Sequence, residues 1–264
     1  MLASSAREVR PTLHPHSEPT LQNPEAEAFY AEAIQHLVMS GIPFLLAGTF
    51  ALSAYTGITR QTKDVDIFCR PRDYPQILAH FKRLGYRIAI EDSRWIAKIF
   101  KGRVFLDVIF ASSNGAVPID NRWFDHARQG TAFGTSVNII GPTELVWSKS
   151  FIQARDRYDG ADVAHIILRA SDKIDWHRLL HYMDPHWQVM LIHLLGFQWL
   201  YPSERDKVPS WVMDELLRRL ATQRLDPTPG ERVCRGRLLS SRDYEIDVKL
   251  WGFADVDGKG KPIR

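Results

Sequence analysis

Six residues, Asp64-Val65-Asp66-Ile67-Phe68-Cys69, constrain the fold more than any other stretch of the chain. Side chains alternate faces along a strand, so Val65 and Ile67 point one way while Asp64 and Asp66 point the other. A strand of this kind needs an apolar core on one side. On the other it needs surroundings that tolerate two adjacent carboxylates, which repel unless a cation or a proton lies between them. Hard oxygen donors suit Mg2+ (or Mn2+), an ion that takes one or two carboxylates together with phosphate oxygens.

The flanking sequence reads as a mixed α/β unit. Asn23-Pro24 is a helix start, an Asn cap followed by Pro where a missing N–H costs nothing. That helix is predicted to run to Met39, with Ala26, Phe29, Ile34, Leu37 and Val38 turned inward and Gly41 past its end. Pro43 to Ala47 is a short buried strand, Phe50 to Tyr55 a short helix stopped by Gly57, and Asp64 to Cys69 the acidic strand. Pro71 to Leu84 reads as a helix, and strands follow over 86–90, 95–100 and 104–110. This βαβ-then-antiparallel pattern indicates an α/β (α+β) domain over 25–140 built on a mixed sheet.

After Gly141-Pro142-Thr143 the period becomes helical, with helices predicted at 144–154, 161–169, 176–182, 187–200 and 210–221. Residues 141–223 therefore form a helical region and 224–264 an irregular tail rich in Pro, Gly and Arg. Residues 1–24, with four prolines and no apolar run, read as a flexible leader and not a signal peptide. No apolar stretch reaches the roughly 18–20 residues of a membrane span. The most apolar stretch, around 189–200, reads as a buried helix whose aromatic residues belong to the core. Cys69 and Cys234 form neither a disulfide framework nor a metal-ligand spacing, so a reducing cytoplasm is the simple location. A net charge of +3 leans toward an anionic partner such as a nucleotide or RNA.

Acid-x-acid triplets are not rare by themselves. The composition predicts about four by chance, and the chain has six. One of them, Asp255-Val256-Asp257, even mimics the start of a calcium loop, but the chain ends before the Glu that such a loop needs. Context sets Asp64 and Asp66 apart. Gly48-Thr49, sixteen residues upstream, turns strand into helix, and a helix N-terminus offers free N–H groups to a phosphate. Gly48 permits close backbone approach, and the Thr49 hydroxyl can donate. Arg60 and Lys63, in the loop entering the acidic strand, can neutralise further phosphate charge.

Gly48-Thr49 followed by Arg60-x-Thr62-x-Asp64-Val65-Asp66-Ile67 resembles the DNA polymerase β-like nucleotidyltransferase superfamily. Within it, the Arg-x-Thr lead-in looks most like the AbiEii/MenT-type enzymes, some of which are toxins of toxin–antitoxin systems. Thr49 stands where the family has Gly or Ser. The family's third acid is matched by Asp107 in Phe105-Leu106-Asp107-Val108-Ile109-Phe110, a lone carboxylate on an apolar strand. The alternative for Asp107 is a salt bridge to a nearby Arg or Lys. By the resemblance, Asp64, Asp66 and Asp107 surround two metal ions, and Asp107 accepts the proton of the attacking hydroxyl.

Downstream, Glu144-Leu145-x-x-x-Lys149 and Arg155-x-Arg157-x-Asp159-x-x-Asp162 resemble the same enzymes. The likeness implies that Lys149 contacts nucleotide phosphates and that Asp159 or Asp162 lies behind it or faces the substrate. The alternative is a solvated helix face with salt bridges. Together with Gly48, Thr49, Arg60, Thr62 and Lys63, these residues would form the nucleotide site. His177 and His181, four residues apart with no third ligand, read as a surface pair.

The expected activity is transfer of a nucleoside monophosphate from an NTP to a hydroxyl or phosphate of RNA (a tRNA end included), protein or a small molecule. An antitoxin protein is the partner that the resemblance implies. Two rivals are a catalytically silent nucleotide-binding module of the same fold and a glycosyltransferase with an Asp-x-Asp metal site. The second needs a full nucleotide-binding βαβ half before the acids, and only about 40 ordered residues precede Asp64.

Overall fold

The computed structural model describes Pro19 and residues 24–263. The Asn23 cap and, apart from Pro19 and Pro24, the leader lie outside these residues. Helix α1 (Pro24–Ser40) buries Phe29, Tyr30, Ala33, Ile34 and Leu37 as one stripe. Val38, expected inward, is 43% exposed, because one further step of about 100° carries it past the edge of that stripe. Strand β1 has only two residues (Leu45–Leu46), since Ala47 is already the cap of α2 (Gly48–Thr56). Gly57, left-handed at φ 74°, closes α2 with an N–H bond to the Ser53 carbonyl.

Next come β2 (Val65–Phe68), α3 (Tyr74–Arg83), β3 (Arg87–Asp92), β4 (Ile96–Lys101) and β5 (Val104–Ile109). Helix α3 starts later than Pro71, because Pro71 to Asp73 first make a turn in which Asp73 N–H bonds the Arg70 carbonyl. Before the tail, one helix and one hairpin have no counterpart among those the sequence predicts: α4 (Asn121–Asp125) and the strands β6 (Arg128–Ala132) and β7 (Thr135–Ile139). The helical region follows as α5 (Pro142–Ser150), α6 (Gly160–Ala170), α7 (Trp176–Tyr182), α8 (Trp187–Leu200) and α9 (Ser210–Gln223).

The seven strands form one mixed sheet in the order β3-β4-β5-β2-β1-β7-β6. Pairs β2/β5 and β1/β7 are parallel and the others antiparallel. The expected βαβ unit is thus not a parallel crossover, because the chain leaving α2 returns beside β1 in the opposite direction. One continuous apolar core joins α1, the sheet and the helical region. Helix α8 buries Met190, Leu191, Leu194 and Phe197 but leaves Trp199 82% exposed, so the helix is half-buried and Trp199 is not core. Among the described residues no helix is long and apolar enough to cross a membrane.

The tail is mostly irregular, with a five-residue helix α10 (Glu245–Lys249), yet it is packed. Val256 joins the core, and Val233 bridges Ala254. Gly258 lies so close to the loop after β5 that a Cβ there would stand 2.1 Å from the Gly115 carbonyl oxygen and 2.7 Å from the Ala116 nitrogen. Those atoms are backbone and cannot step aside, so Gly258→Ala is expected to cost about 1–3 kcal/mol, the usual range for overpacking. A thermal melt should show a fall of about 3–10 °C, and limited proteolysis should release the tail sooner than in the parent protein.

Candidate functional site

Strand β2 alternates as its sequence requires: Val65 and Ile67 are fully buried, while Asp64 and Asp66 face the other side and are half-buried. The parallel neighbour β5 places Asp107 directly opposite Asp66 in register. Parallel partners share a face, so Asp64, Asp66 and Asp107 gather on one side of the sheet. Leu106 and Val108, which flank Asp107, are fully buried on the opposite side.

The N-terminus of α2 abuts this group. Gly48 adopts φ +56°, and a Cβ on it would stand 1.9 Å from Asp66 Oδ2. The Ala47 N–H donates to the Asp66 carbonyl at 3.0 Å, which fixes turn and strand together. From behind, the buried Tyr30 hydroxyl of α1 lies 3.1 Å from the Lys63 carbonyl and 2.9 Å from the Phe105 carbonyl, spanning β2 and β5.

Burial is the main cause that pushes the Asp66 carboxyl up to about 7, and the charges of Asp64 and Asp107 add to it. Arg157 and Lys149 oppose the rise. Asp107 is also raised, first by burial, with Lys98 pulling the other way. Lys98 on β4 donates to Asp107 Oδ1 at 2.5 Å, so the salt-bridge alternative for Asp107 is realised on one of its two oxygens.

The raised Asp66 carboxyl has a consequence for stability. A carboxyl whose folded pKa lies above its unfolded value favours folding fully below about pH 4, and that contribution is lost as pH rises toward 7. Without divalent ions, the parent protein should therefore lose melting temperature relative to Asp66→Asn between pH 5 and pH 8. Melts of both proteins in EDTA check this, and a constant difference across that range would refute it.

A second cluster stands over the acidic face, where α5 meets α6. Lys149, 5% exposed, donates to Asp159 Oδ2 and to Asp162 Oδ2, both at 2.7 Å. Arg60, 102 residues away in sequence from Asp162, grips that carboxylate with two bonds of 2.9 Å. Arg157 reaches Asp159 at 3.4 Å. Burial works to raise the Asp162 carboxyl, but Lys149 and Arg60 outweigh it and hold it low.

Other sequence candidates divide into two groups. Thr62 is buried and directs its hydroxyl to the Asp64 carbonyl at 3.1 Å and carboxylate at 3.4 Å, so it orients Asp64. Lys63 is exposed, and Thr49 follows Gly48 in the first turn of α2. Glu144 joins neither cluster; it accepts from Arg178 at 2.9 Å. His177 stacks on Trp211, and His181 is exposed.

Sequence reasoning missed Lys98 and Tyr30 and gave Arg157 no role at the acids. The signal for Lys98 was present: it and Asp107 each lie three residues from the Lys101–Val104 pair that closes the β4–β5 hairpin. A cation set directly opposite the one acid of its partner strand is a pairing that the position of the turn specifies.

The oxygen donors that Asp64, Asp66 and Asp107 offer are all carboxylate oxygens, a donor set that suits a hard divalent cation. As the side chains stand, no three His, Cys, Asp or Glu among the described residues converge on a shared metal position. Burial pushes Asp66 toward protonation and the neighbouring carboxylates add to it, and this added like-charge repulsion is what a bound cation would relieve.

No family model and no curated protein matches the chain. Among solved structures it is similar over part of its length to the antibiotic-resistance factor ANT(2'')-Ia, at 15% identity and a TM-score of 0.45, covering 63% of this chain and 97% of that one. It is also similar to the lincosamide antibiotic adenylyltransferase LnuA, at 16% identity and a TM-score of 0.39, covering 56% and 97%. An antigenic nucleotidyltransferase-like protein from Paracoccidioides brasiliensis aligns at 14% identity and a TM-score of 0.45, covering 71% and 93%.

Proposed function

We propose that the chain is a divalent-metal-dependent nucleotidyltransferase that moves a nucleoside monophosphate from an NTP to an acceptor oxygen, releasing pyrophosphate. The observation that carries this reading is the register of Asp66 with Asp107, with Asp64 on the same face and Gly48 against the Asp66 carboxylate. Asp64, Asp66 and Asp107 would hold Mg2+ or Mn2+. That ion supplies neutralisation of phosphate charge and activation of the acceptor oxygen.

The protein's own part is positioning and electrostatics, as suits phosphoryl chemistry. The N–H groups at the start of α2 and the Thr49 hydroxyl seat the triphosphate. Arg60 and Arg157, whose side chains are 46% and 66% exposed, face its remaining charge. Lys149, held by Asp159 and Asp162, fixes the helical segment of 141–223 over the nucleotide, and Thr62 orients Asp64. The acceptor oxygen attacks the α-phosphorus, the bond to pyrophosphate breaks, and the acceptor proton passes to Asp107. RNA with a tRNA end, a protein side chain and a small molecule all offer such an oxygen. The toxin-like role, with an antitoxin protein as cytoplasmic partner, is supported by the sequence resemblance alone.

One observation favours a second reading, a silent nucleotide-binding module: Lys98 already neutralises one oxygen of Asp107. Nothing favours the glycosyltransferase, since β1 is the only strand before Asp64 among the described residues. To test the proposal, the protein is incubated with each α-labelled NTP, Mg2+ and total cell RNA or protein. One nucleotide should label one acceptor class, and the Asp64→Ala/Asp66→Ala variant should neither label nor bind NTP in a metal-dependent manner. Unchanged binding and labelling in that variant would overturn the proposal. Metal-dependent binding without transfer would select the silent module.

A further inference from the structure

The ladder that joins β2 to β5 begins at Val65 opposite Leu106, so Asp64 lies one residue before the first pair that the sheet aligns. Thr62 meets the carbonyl and the carboxylate of Asp64, but a bond between residues two apart shapes the loop without tying it to β5. Tyr30 makes that tie. Its side chain comes from α1 and is fully buried, and its hydroxyl lies 3.1 Å from the Lys63 carbonyl and 2.9 Å from the Phe105 carbonyl. Lys63 immediately precedes Asp64, and Phe105 stands two residues before Asp107. One O–H thus serves the approaches to two of the three acids. Burial raises this hydroxyl above its ordinary range, and the charges of Asp64, Asp107 and Asp66 add to the rise, so it keeps its proton and remains a donor.

We infer that Tyr30 is a positioning residue for the metal site: its hydroxyl, seated between the Lys63 and Phe105 carbonyls, sets the distance of Asp64 from Asp107. The inference rests on the reading of Asp64, Asp66 and Asp107 as metal ligands. Its further content is that Asp64 is placed by α1, from outside the sheet, where the ladder with β5 no longer reaches. Groups that orient metal ligands without touching the ion carry about 10–100-fold of the affinity. Tyr30 acts one peptide removed from Asp64, so the lower end applies.

Metal affinity tests this without recourse to turnover. The full-length protein is titrated with Mn2+ alone, and free Mn2+ is followed by its electron paramagnetic resonance signal. Binding at the site is the part lost in Asp64→Ala/Asp66→Ala. Tyr30→Phe should bind Mn2+ there about tenfold more weakly than the parent protein. Tyr55→Phe is the matched control. Tyr55 is also fully buried, and it donates its hydroxyl to the Ile140 carbonyl at 2.7 Å, about two turns along α2 from Gly48. Burial raises that hydroxyl too, but the charges acting on it belong to Arg128 and Glu144. Both variants should lose a few degrees of melting temperature, and Tyr55→Phe should keep the parent's affinity. Unchanged affinity in Tyr30→Phe, or an equal loss in both variants, would overturn the inference while leaving the metal site intact. A parent protein that binds Mn2+ no better than Asp64→Ala/Asp66→Ala would overturn the metal reading and the inference with it. Should Tyr30→Phe fail to fold, Tyr30→4-fluorophenylalanine, close to tyrosine in size but with no hydrogen to donate, takes its place under the same outcomes.

Discussion

Gly48→Ala should lower the proposed nucleotidyl transfer about a hundredfold while leaving a folded protein. The new methyl group would stand 1.9 Å from Asp66 Oδ2 and 2.8 Å from its Cγ. The obstructing atoms are the end of a side chain, so the carboxylate yields and the backbone does not. To restore an ordinary contact of about 3.4 Å or more the oxygen must move by roughly 1.5 Å. A displacement of about 1 Å at a reacting centre costs on the order of 100-fold. The left-handed backbone at φ +56° adds strain of about 1–2 kcal/mol, worth a few degrees of melting temperature. Gly41→Ala is the control, since Gly41 has φ +68° with nothing within 4 Å of its would-be Cβ. It should share the small stability loss and keep full activity. Wild-type kcat/KM in Gly48→Ala would remove Asp66 from the reacting centre.

Lys149→Ala should destabilise the fold more than either Gly48→Ala or Gly258→Ala. It leaves two carboxylates, Asp159 and Asp162, buried at 8% and 4% exposure without their shared ammonium. Breaking a buried pair in this way costs about 3–5 kcal/mol. Arg60 still grips Asp162 and Arg157 still reaches Asp159, so the lower end applies. That corresponds to a fall of roughly 6–12 °C in Tm. The triple variant Lys149→Met/Asp159→Asn/Asp162→Asn removes all three charges together and should regain most of the loss. A melting temperature within a degree or two of the parent for Lys149→Ala would show that the network carries little energy.

Much of this architecture was legible because local rules decided it. The acid–apolar alternation of 64–68 fixed which face of β2 meets the core, and Gly57, turn residues and the 3.6-residue period marked most helices. Asp107 could be found as a lone polar residue on an apolar strand. The hairpin β6–β7 could not, for a specific reason. Its turn places positive φ on Phe133 and Gly134, and a Phe at the first of these hides the Asn-Gly or Asp-Gly signal that announces such turns. Its strands are also half polar and shallowly buried. The pair Arg60–Asp162 was invisible as a pair because sequence spacing says nothing about contacts between residues 102 apart. That Lys149 is also enclosed between two aspartates was not legible, since it results from how α5 and α6 pack.

The shared face of Lys98, Asp107 and Asp66 also bears on how the chain finds its fold. Side chains in a sheet repeat every second residue, so a slip of one position between β4, β5 and β2 would drive an ammonium or a carboxylate into the apolar layer. No such penalty would arise if all three were leucine, because Leu106, Val108, Ile99 and Ile67 could then trade places with their neighbours at small cost. The three charges thus act as a proofreading mark on strand alignment: the wrong sheet is penalised while it forms, before any substrate is present.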